Sequence, residues 1–175
     1  MTCSASIRTA TEEDASRIAN LYVSTLRDAY ADAMPAEFSD PVSAHHRAHK
    51  LRIAIDSGTR TWLIVVAGQE LVGGCALSVA RDNDLPPNFG EVTTIAVSKP
   101  HRRHGHGFAL LNAARLHALH REWRSLVLWV VESNIEAVAF YARAGFVPDG
   151  SVKVDNRLCF SAPVVRYQSA ITGPP

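Results

Sequence analysis

The chain has 175 residues, 47% of them hydrophobic, and a formal net charge of +1 at pH 7. This length and composition predict a single domain, residues 1–175, with a sizeable core. The balanced charge gives no reason to expect a nucleic acid or an anionic membrane as partner, and no apolar run reaches the roughly 18 residues of a membrane span.

The compartment is predicted from the N-terminal segment and the cysteines. No basic head followed by an apolar stretch occurs near the N-terminus, so we expect no secretory signal. The three cysteines, Cys3, Cys75 and Cys159, are scattered, which is typical of reduced thiols. No CxxC pair occurs, so no zinc site is expected. We therefore expect a cytoplasmic protein.

The first third of the chain predicts a strand and two helices. Ile7-Arg8 resembles a short strand, and Thr11 to Asp14 resembles a capping box. Apolar residues then recur at helical spacing from Ile18 to Leu26. A second helix is expected to open at Pro41 and to run to about Ile55.

The middle of the chain predicts three strands, a helix and a fourth strand. Trp62 to Ala67 and Leu71 to Val79 have the length and turn signals of a hairpin. Gly90 to Val97 is the next predicted strand, and Gly105 to about Arg121 is a predicted helix. Ser125 to Val131 is dominated by consecutive apolar residues, which is typical of a strand covered on both faces.

The C-terminal part predicts one helix and two closing strands. Asn134 is a good N-terminal cap, and Gly145 suits a left-handed helix end. Val147 to Val154 and Leu158 to Tyr167 are the predicted strands. The last residues, 171–175, are expected to fray.

The loop after Val97 suits a diphosphate. Gly105 and Gly107 allow a close backbone approach and positive φ angles. Amides at a helix start, together with the helix dipole, favour an anion there. We expect Arg102 and Arg103 to add mobile positive charge, and nearby histidines to add more when protonated: His101, His104 and His106.

Two common phosphate-binding patterns do not fit this loop. A P-loop needs Lys-Ser/Thr after its last glycine, whereas Phe108-Ala109 follows Gly107. A dinucleotide-binding loop needs a third glycine, and Leu110 stands there instead. The remaining pattern, Arg102-x-x-Gly105-x-Gly107, resembles the acetyl-CoA signature of the GNAT N-acetyltransferase superfamily.

A second stretch resembles the downstream motif of the same superfamily. An Asn opens a helix, an Ala follows three residues later, a Phe-Tyr pair lies within the helix and Gly-Phe ends it: Asn134, Ala137, Phe140, Tyr141, Gly145 and Phe146. With both motifs in the family's order, the chain is identified as a member of the GNAT superfamily. The resemblance implies the order βααβββαβαββ and an α/β (α+β) GNAT fold, a mixed, mostly antiparallel sheet of about seven strands flanked by about four helices.

The resemblance implies an N-acetyltransferase that moves an acetyl group from acetyl-CoA to a primary amine of a small molecule, such as an amino acid, another amine or an amine-bearing toxin. The family implies direct attack in a ternary complex, without a metal. Pantetheine adds to a strand edge and pyrophosphate lies on loop amides. The implied cofactor-binding residues are Ile95, Ala96, Val97, Arg102, Arg103, His104, Gly105, His106, Gly107, Phe108, Ala109, Asn134, Ala137 and Tyr141.

Two residues are candidates for catalysis. Tyr141 resembles the family tyrosine that protonates the leaving thiolate; the alternative is a core aromatic whose hydroxyl finds a partner. Glu91 is the candidate base, directly or through water; the alternatives are a solvated glutamate or one paired with an arginine. Strict alternation puts Glu91 on one strand face with Ile95 and Val97, unless a bulge intervenes. No cysteine lies near either motif, so a cysteine intermediate is not expected.

The remaining histidines predict no metal site. Their spacing is usable by a metal, but no acidic or cysteine ligand lies beside them, so we interpret them as solvated helix faces: His45, His46, His49, His117 and His120.

The acceptor pocket is expected from residues 22–42 and from the loop around 155–157, where the family resemblance is weakest. Three acids could attract a cationic acceptor: Asp32, Glu37 and Asp40. The sequence leaves open the acceptor amine, the acyl chain and the oligomeric state, although a homodimer is common among relatives. Three alternative functions stay open: a protein N-terminal or lysine acetyltransferase, a non-catalytic acyl-CoA sensor, and an enzyme acting on charged transfer RNA, which the balanced charge disfavours.

Overall fold

The computed structural model describes residues 5–30, 41–156 and 160–172. Within these ranges the elements follow the predicted order and form the expected mixed sheet and helices. Their bounds are β1 (Ala5–Thr9), α1 (Ala15–Tyr30), α2 (Pro41–Asp56), β2 (Thr61–Ala67), β3 (Glu70–Val79), β4 (Phe89–Val97), α3 (His106–His120), β5 (Ser125–Val131), α4 (Ile135–Arg143), β6 (Val147–Asp155) and β7 (Ala162–Ala170).

The strands form one sheet in the order β1-β2-β3-β4-β5-β7-β6. Neighbouring strands are antiparallel except β4 and β5, which are parallel. A parallel pair requires a crossover connection, and α3 provides it. The sheet is therefore divided at the β4–β5 junction into two antiparallel halves.

β4 and β5 pair only at their beginnings. The pairing runs from Phe89 opposite Ser125 to Glu91 opposite Val127, and no further pair joins them in the described part of the chain. β4 nevertheless stays paired with β3 as far as Val97. The two parallel strands therefore separate towards their carboxyl ends and leave a wedge in the sheet.

A bulge at Thr93 changes the face on which the β4 side chains lie. Ala76 pairs with Thr94 and Leu77 pairs with Val92, so Thr93 is an extra residue in β4. As a result Val92 lies in the same core cluster that Ile95 and Val97 pack against. Glu91, which precedes Val92, faces the other side of the sheet. The prediction from strict alternation that Glu91 shares a face with Ile95 and Val97 is therefore wrong, because a bulge shifts the period-two pattern by one residue.

Helices cover both faces of the sheet. On one face α3 contributes four fully buried residues to the larger core cluster, and α4 contributes Tyr141, followed by Ala144 at its C-terminal cap. On the other face Ile18 and Leu21 of α1 pack with Trp62 and Ile64 of β2. None of the helices within the described ranges is long and apolar enough to cross a membrane.

The two ends of the chain differ in how well the sequence predicts them. The capping box between Thr11 and Asp14 is confirmed, with the Thr11 backbone N–H donating to the Asp14 carboxylate at 2.9 Å. The last strand begins at Ala162, later than the predicted Leu158, which lies outside the described residues; Phe160 and Ser161 are not in a strand. The prediction that the chain frays from residue 171 is wrong for Ile171. This residue donates its N–H to the Arg124 carbonyl at 2.9 Å and packs against the core.

Candidate functional site

A cavity of about 390 Å³ occupies the wedge between β4 and β5. One wall is the β4 segment from Glu91 to Ala96, and the opposite wall is the β5 segment from Trp129 to Val131. Helices α1 and α4 contribute further apolar and polar side chains. These include Tyr22, Thr25, Leu26, Ala29, Tyr30, Ala137 and Tyr141.

The loop that follows β4 presents backbone amides at the start of α3. Arg103 and Gly105 both have positive φ angles, 67° and 83°, so the chain turns sharply before the helix. The first helical hydrogen bond joins the Ala109 N–H to the Gly105 carbonyl at 3.0 Å. The amides of residues 106–108 precede that bond, so the helix itself offers them no acceptor. The loop can therefore receive an anion, as its glycines predict.

Gly107 allows α3 and α4 to approach closely. A Cβ atom at this position would lie 3.0 Å from Cζ of Phe140. Phe108, which is 40% exposed, packs edge-on against the same ring, with the ring centres 5.2 Å apart. Gly107 therefore has a packing role that the motif pattern did not reveal.

Arg102 is fixed rather than mobile. Its Nε donates to the Val97 carbonyl at 3.1 Å, and its Nη2 pairs with Asp28 of α1 at 3.0 Å. The prediction of mobile charge is wrong for this residue, because it joins the loop to both β4 and α1. Of the loop histidines, His104 and His106 have ring centres 6.3 Å apart.

Asn134 is confirmed as the N-terminal cap of α4. Its Oδ1 accepts a hydrogen bond from the Ala137 N–H at 3.1 Å. Its Nδ2 donates to the Tyr30 hydroxyl at 2.8 Å. The side chain therefore borders the cavity with both ends of its amide engaged.

Tyr141 lies at the end of the cavity beside α4 and is 8% exposed. Its hydroxyl has no hydrogen-bond partner among the described residues, although its ring packs against Phe140 and Phe146. Burial, with smaller contributions from Cys75 and Tyr30, raises the pKa of Tyr141 well above its ordinary value near 10. The phenol is therefore protonated at neutral pH and can donate.

Glu91 lines the cavity in an ion pair with Arg81. The Arg81 Nε donates to Oε2 at 2.9 Å, and Nη2 donates to Oε1 at 2.6 Å. The Glu91 side chain is 4% exposed, whereas that of Arg81 is 44% exposed. The pairing matches one alternative left open by the sequence, and Arg81 itself was missed. Only the register of the β3–β4 hairpin could have indicated it, because that register brings the second residue after β3 close to Glu91.

Two residues that line the cavity, Tyr30 and Trp129, are held by contacts that span the chain. The Tyr30 and Phe160 rings have their centres 5.1 Å apart, which joins the end of α1 to the segment before β7. Trp129 is held by a 2.7 Å hydrogen bond from its Nε1 to Asp82, and the Lys153 ammonium lies 3.6 Å from the centre of its ring. No local sequence pattern indicates these contacts, since the partners lie far apart in the chain.

Cys75 lies close to the site in space although not in sequence. It pairs with Ile95 across β3 and β4, shares a core cluster with Tyr141 and is fully buried. Burial raises the pKa of its thiol to about 12. The premise that no cysteine lies near the motifs is therefore wrong in three dimensions, but this thiol is poorly suited to act as a nucleophile.

Most of the charged residues in the segments predicted to form the acceptor pocket lie outside the described residues. Asp32, Glu37, Asp40 and Arg157 lie outside the described part, whereas Asp155 lines the cavity.

Within residues 5–30, 41–156 and 160–172 no group of three or more His, Cys, Asp or Glu side chains is placed to hold a metal ion.

The chain is similar to known acetyltransferases. The model of the Acetyltransferase (GNAT) family matches residues 17–146. Among solved structures, PaiA N-acetyltransferase from Thermoplasma acidophilum in complex with coenzyme A is 18% identical, with a TM-score of 0.74 and coverage of 95% of this chain and 99% of that one. Ribosomal-protein-alanine N-acetyltransferase from Brucella melitensis is 20% identical, with a TM-score of 0.74 and coverage of 94% and 99%.

A third structure, yncA from Salmonella typhimurium with its cofactor acetyl-CoA, is 15% identical, with a TM-score of 0.72 and coverage of 98% and 96%. At these identities the likeness is one of fold.

Proposed function

The chain belongs to the GNAT acetyltransferase family, and from this premise we propose that it transfers the acetyl group of acetyl-CoA to the primary amine of a small molecule. The observation that carries the proposal is the wedge between β4 and β5, which brings the edge of β4 and the buried Tyr141 phenol to one cavity, with the glycine-containing loop following directly after β4. Acetyl-CoA supplies an activated acyl thioester when bound, whereas the chain supplies binding, orientation and proton transfer.

The edge of β4 fits a pantetheine chain. Beyond Glu91 this edge has no paired residue on β5 in the described structure, and backbone polar groups that leave water need partners. An extended ligand with amide groups can supply them in the manner of an added strand. We assign this role to the backbone of Ile95, Ala96 and Val97, with Asn134 and Ala137 bordering the same path.

The loop from Arg102 to Ala109 fits a pyrophosphate. The place of a Cβ atom on Gly105 has no described atom within 4 Å, so the backbone there is open to a ligand. The amides at the start of α3 supply donors, and the helix dipole favours an anion. Arg103, which is exposed, supplies positive charge beside them.

Two side chains would move protons. Tyr141 would donate to the departing thiolate, because its phenol is protonated and lacks a partner among the described residues. Each Glu91 oxygen accepts one hydrogen bond from Arg81 and keeps a further lone pair. Glu91 would therefore accept a proton from the amine, directly or through a water molecule.

The contacts of Tyr30 at the border of the cavity favour a small acceptor. The 2.8 Å hydrogen bond between Asn134 and Tyr30 and the packing of Tyr30 on Phe160 bridge the wedge. A polypeptide acceptor needs an open groove there. A peptide α-amine is nevertheless the second candidate, because the fold resembles a ribosomal-protein-alanine N-acetyltransferase. A sensor that binds acyl-CoA without turnover is a third.

A thiol-release screen tests the proposal. The purified chain and acetyl-CoA are incubated with amino acids, polyamines, aminoglycosides and short peptides with free N-termini, with hydrolysis in the absence of amine as the control. We expect release with at least one small amine, faster than with any peptide. Transfer only to peptides supports the second candidate, and tight acetyl-CoA binding without transfer supports the sensor.

Two further predictions concern the protein's state rather than its chemistry. We expect a cytoplasmic location, and the homodimer that is common in the family is the oligomeric state to test, since the sequence leaves that state open. Light scattering and cell fractionation measure these two properties.

A further inference from the structure

Resting on the proposed function, we propose that the acceptor is an amino acid whose carboxylate lies close to the reacting amine, and that Arg81 binds this carboxylate. No family motif contains Arg81. The inference depends on the geometry of its ion pair with Glu91 and on the charges that line the cavity.

The ion pair leaves one side of the Arg81 guanidinium available. Nε and Nη2 donate to the two oxygens of Glu91, whereas Nη1 makes no hydrogen bond to any of the described residues. The side chain lines the cavity and is 44% exposed. A guanidinium has five N–H donors, so Arg81 has donors left for a ligand in the cavity.

Glu91 fixes the orientation of this cation. A carboxylate that is 4% exposed requires a charged partner and hydrogen bonds to stay ionised. The bidentate pair provides both and holds the guanidinium plane in one position. Arginine in a fixed plane is well suited to bind a carboxylate.

The order of charges in the cavity complements a zwitterion. The lone pairs of Glu91 that are not used by Arg81 can accept from an ammonium, and the donors of Arg81 can bind an adjacent carboxylate. An α-amino acid carries these two groups on one carbon. A peptide N-terminus lacks the neighbouring carboxylate, so the pair distinguishes the two classes of acceptor.

The balance of charge in the lining agrees with a neutral ligand. Among the described residues, two cationic and two anionic side chains line the cavity: Arg60, Arg81, Glu91 and Asp155. A polyamine or an aminoglycoside would bring several positive charges towards two guanidinium groups, and like charges at short range repel. A zwitterion brings no net charge.

The experiment compares matched acceptors with the wild-type protein and two variants. Thiol release is measured for L-amino acids, for the corresponding L-amino-acid amides, which keep the amine but lose the carboxylate charge, and for spermidine. We expect kcat/KM for the best amino acid to exceed that for its amide by at least about tenfold, the size of one charge-assisted hydrogen bond. In Arg81→Gln the KM for the acid is expected to rise by a similar factor, so that acid and amide become equal.

Arg8→Gln is the matched control. Arg8 also makes a bidentate pair with a buried carboxylate, that of Asp14, with exposed fractions of 45% and 5%, and it does not line the cavity. We expect it to keep the preference for acids over amides. Thermal unfolding of both variants shows whether they remain folded.

The outcomes separate the inference from the proposed function. Transfer to amides, spermidine or peptides as good as transfer to acids overturns the inference and leaves the acetyltransferase proposal standing. Equal loss of preference in Arg8→Gln overturns the role of Arg81, whereas acetyl-CoA binding without transfer to any compound overturns both the proposed acetyl transfer and the inference. Failure to bind acetyl-CoA overturns the proposed function and the inference with it.

Discussion

Asn134 and Tyr30 are 104 residues apart in the chain, and the Nδ2 of Asn134 donates a hydrogen bond to the Tyr30 hydroxyl at 2.8 Å. The other end of the Asn134 amide caps α4. One side chain therefore links the end of α1 to the start of α4 over the cavity. Burial raises the pKa of Tyr30, whereas its bond to Asn134 lowers it by less.

The link between these residues can be measured by a double-mutant cycle. Asn134→Ala removes the cap and the link, and we expect it to lower the free energy of unfolding by about 1–2 kcal/mol. Tyr30→Phe removes the link alone and is expected to lower it by about 1 kcal/mol. Urea denaturation of the two single variants and the double variant gives the coupling. Strict additivity would show that the link contributes nothing.

Tyr141→Phe tests the proton donor. We expect kcat to fall by about ten- to a thousandfold with little change in acetyl-CoA affinity, because only the donated proton is lost. Since burial raises the pKa of Tyr141, the wild-type enzyme is expected to keep this donor up to at least about pH 9. Single-turnover rates and a pH profile measure both effects. An unchanged rate of the chemical step rules out the acid role.

Gly105→Val tests the anion-binding loop. A β-branched residue at a φ of +83° is strained and would stand where the backbone should approach the phosphates. We expect acetyl-CoA affinity to fall by about tenfold or more, measured by calorimetry. Gly150→Val is the matched control, because Gly150 has a φ of +89° and also has no atom within 4 Å of its Cβ position. Equal effects of the two substitutions on affinity would argue against a ligand at the loop.

The Cys75 thiol tests direct transfer. With a pKa of about 12, only about one thiol in ten thousand is ionised at pH 8. We expect mass spectrometry to find the Cys75 peptide unlabelled after treatment of the native protein with iodoacetamide, and labelled after unfolding in urea. Cys75→Ala is expected to keep kcat within about threefold. Loss of transfer in this folded variant, with parallel initial-rate plots, would instead indicate an acyl-cysteine intermediate.

Asp14 makes stability depend on pH at the acidic end. The hydrogen bond from Arg8 lowers the pKa of Asp14 to about 2 from an ordinary value near 4, despite burial. A lowered pKa stabilises the fold above the ordinary value, and this contribution is lost as the pH falls through the folded-state pKa. We expect Asp14→Asn to cost about 2 kcal/mol at pH 7. The difference between wild type and variant should shrink between about pH 4 and pH 2 in urea denaturation, and a constant difference would contradict the linkage.

The sequence was sufficient to predict those features of the fold that depend on residues close together in the chain. The order of strands and helices, the cap at Asn134 and the turn at Gly105 depend on residues close together in the chain, and the structure bears them out. Periodicity and cap chemistry determine such features without distant contacts. The family resemblance rested on two motifs that are local in the same sense, the loop from Arg102 to Gly107 and the helix that begins after Asn134.

The remaining features depend on contacts that no local pattern records. The bulge at Thr93 has no distinctive residue, yet it decides the face of Glu91. The partners of Glu91 and Tyr30 follow from strand register and helix packing. The prediction that Arg102 carries mobile positive charge is wrong for the same reason, because its partner Asp28 lies in a helix 74 residues earlier.

The additional residue in β4 has a consequence for how the gene can vary. Leu77 pairs with Val92 and Ala76 pairs with Thr94, so a strand that lacked Thr93 would keep both pairs and leave Glu91 and Ile95 on the faces that they now occupy. A single-codon insertion elsewhere in β4 would instead require a second bulge or would turn one part of the strand to the opposite face. Natural and laboratory variants should therefore tolerate the loss of this one codon far more readily than the gain of another within the strand.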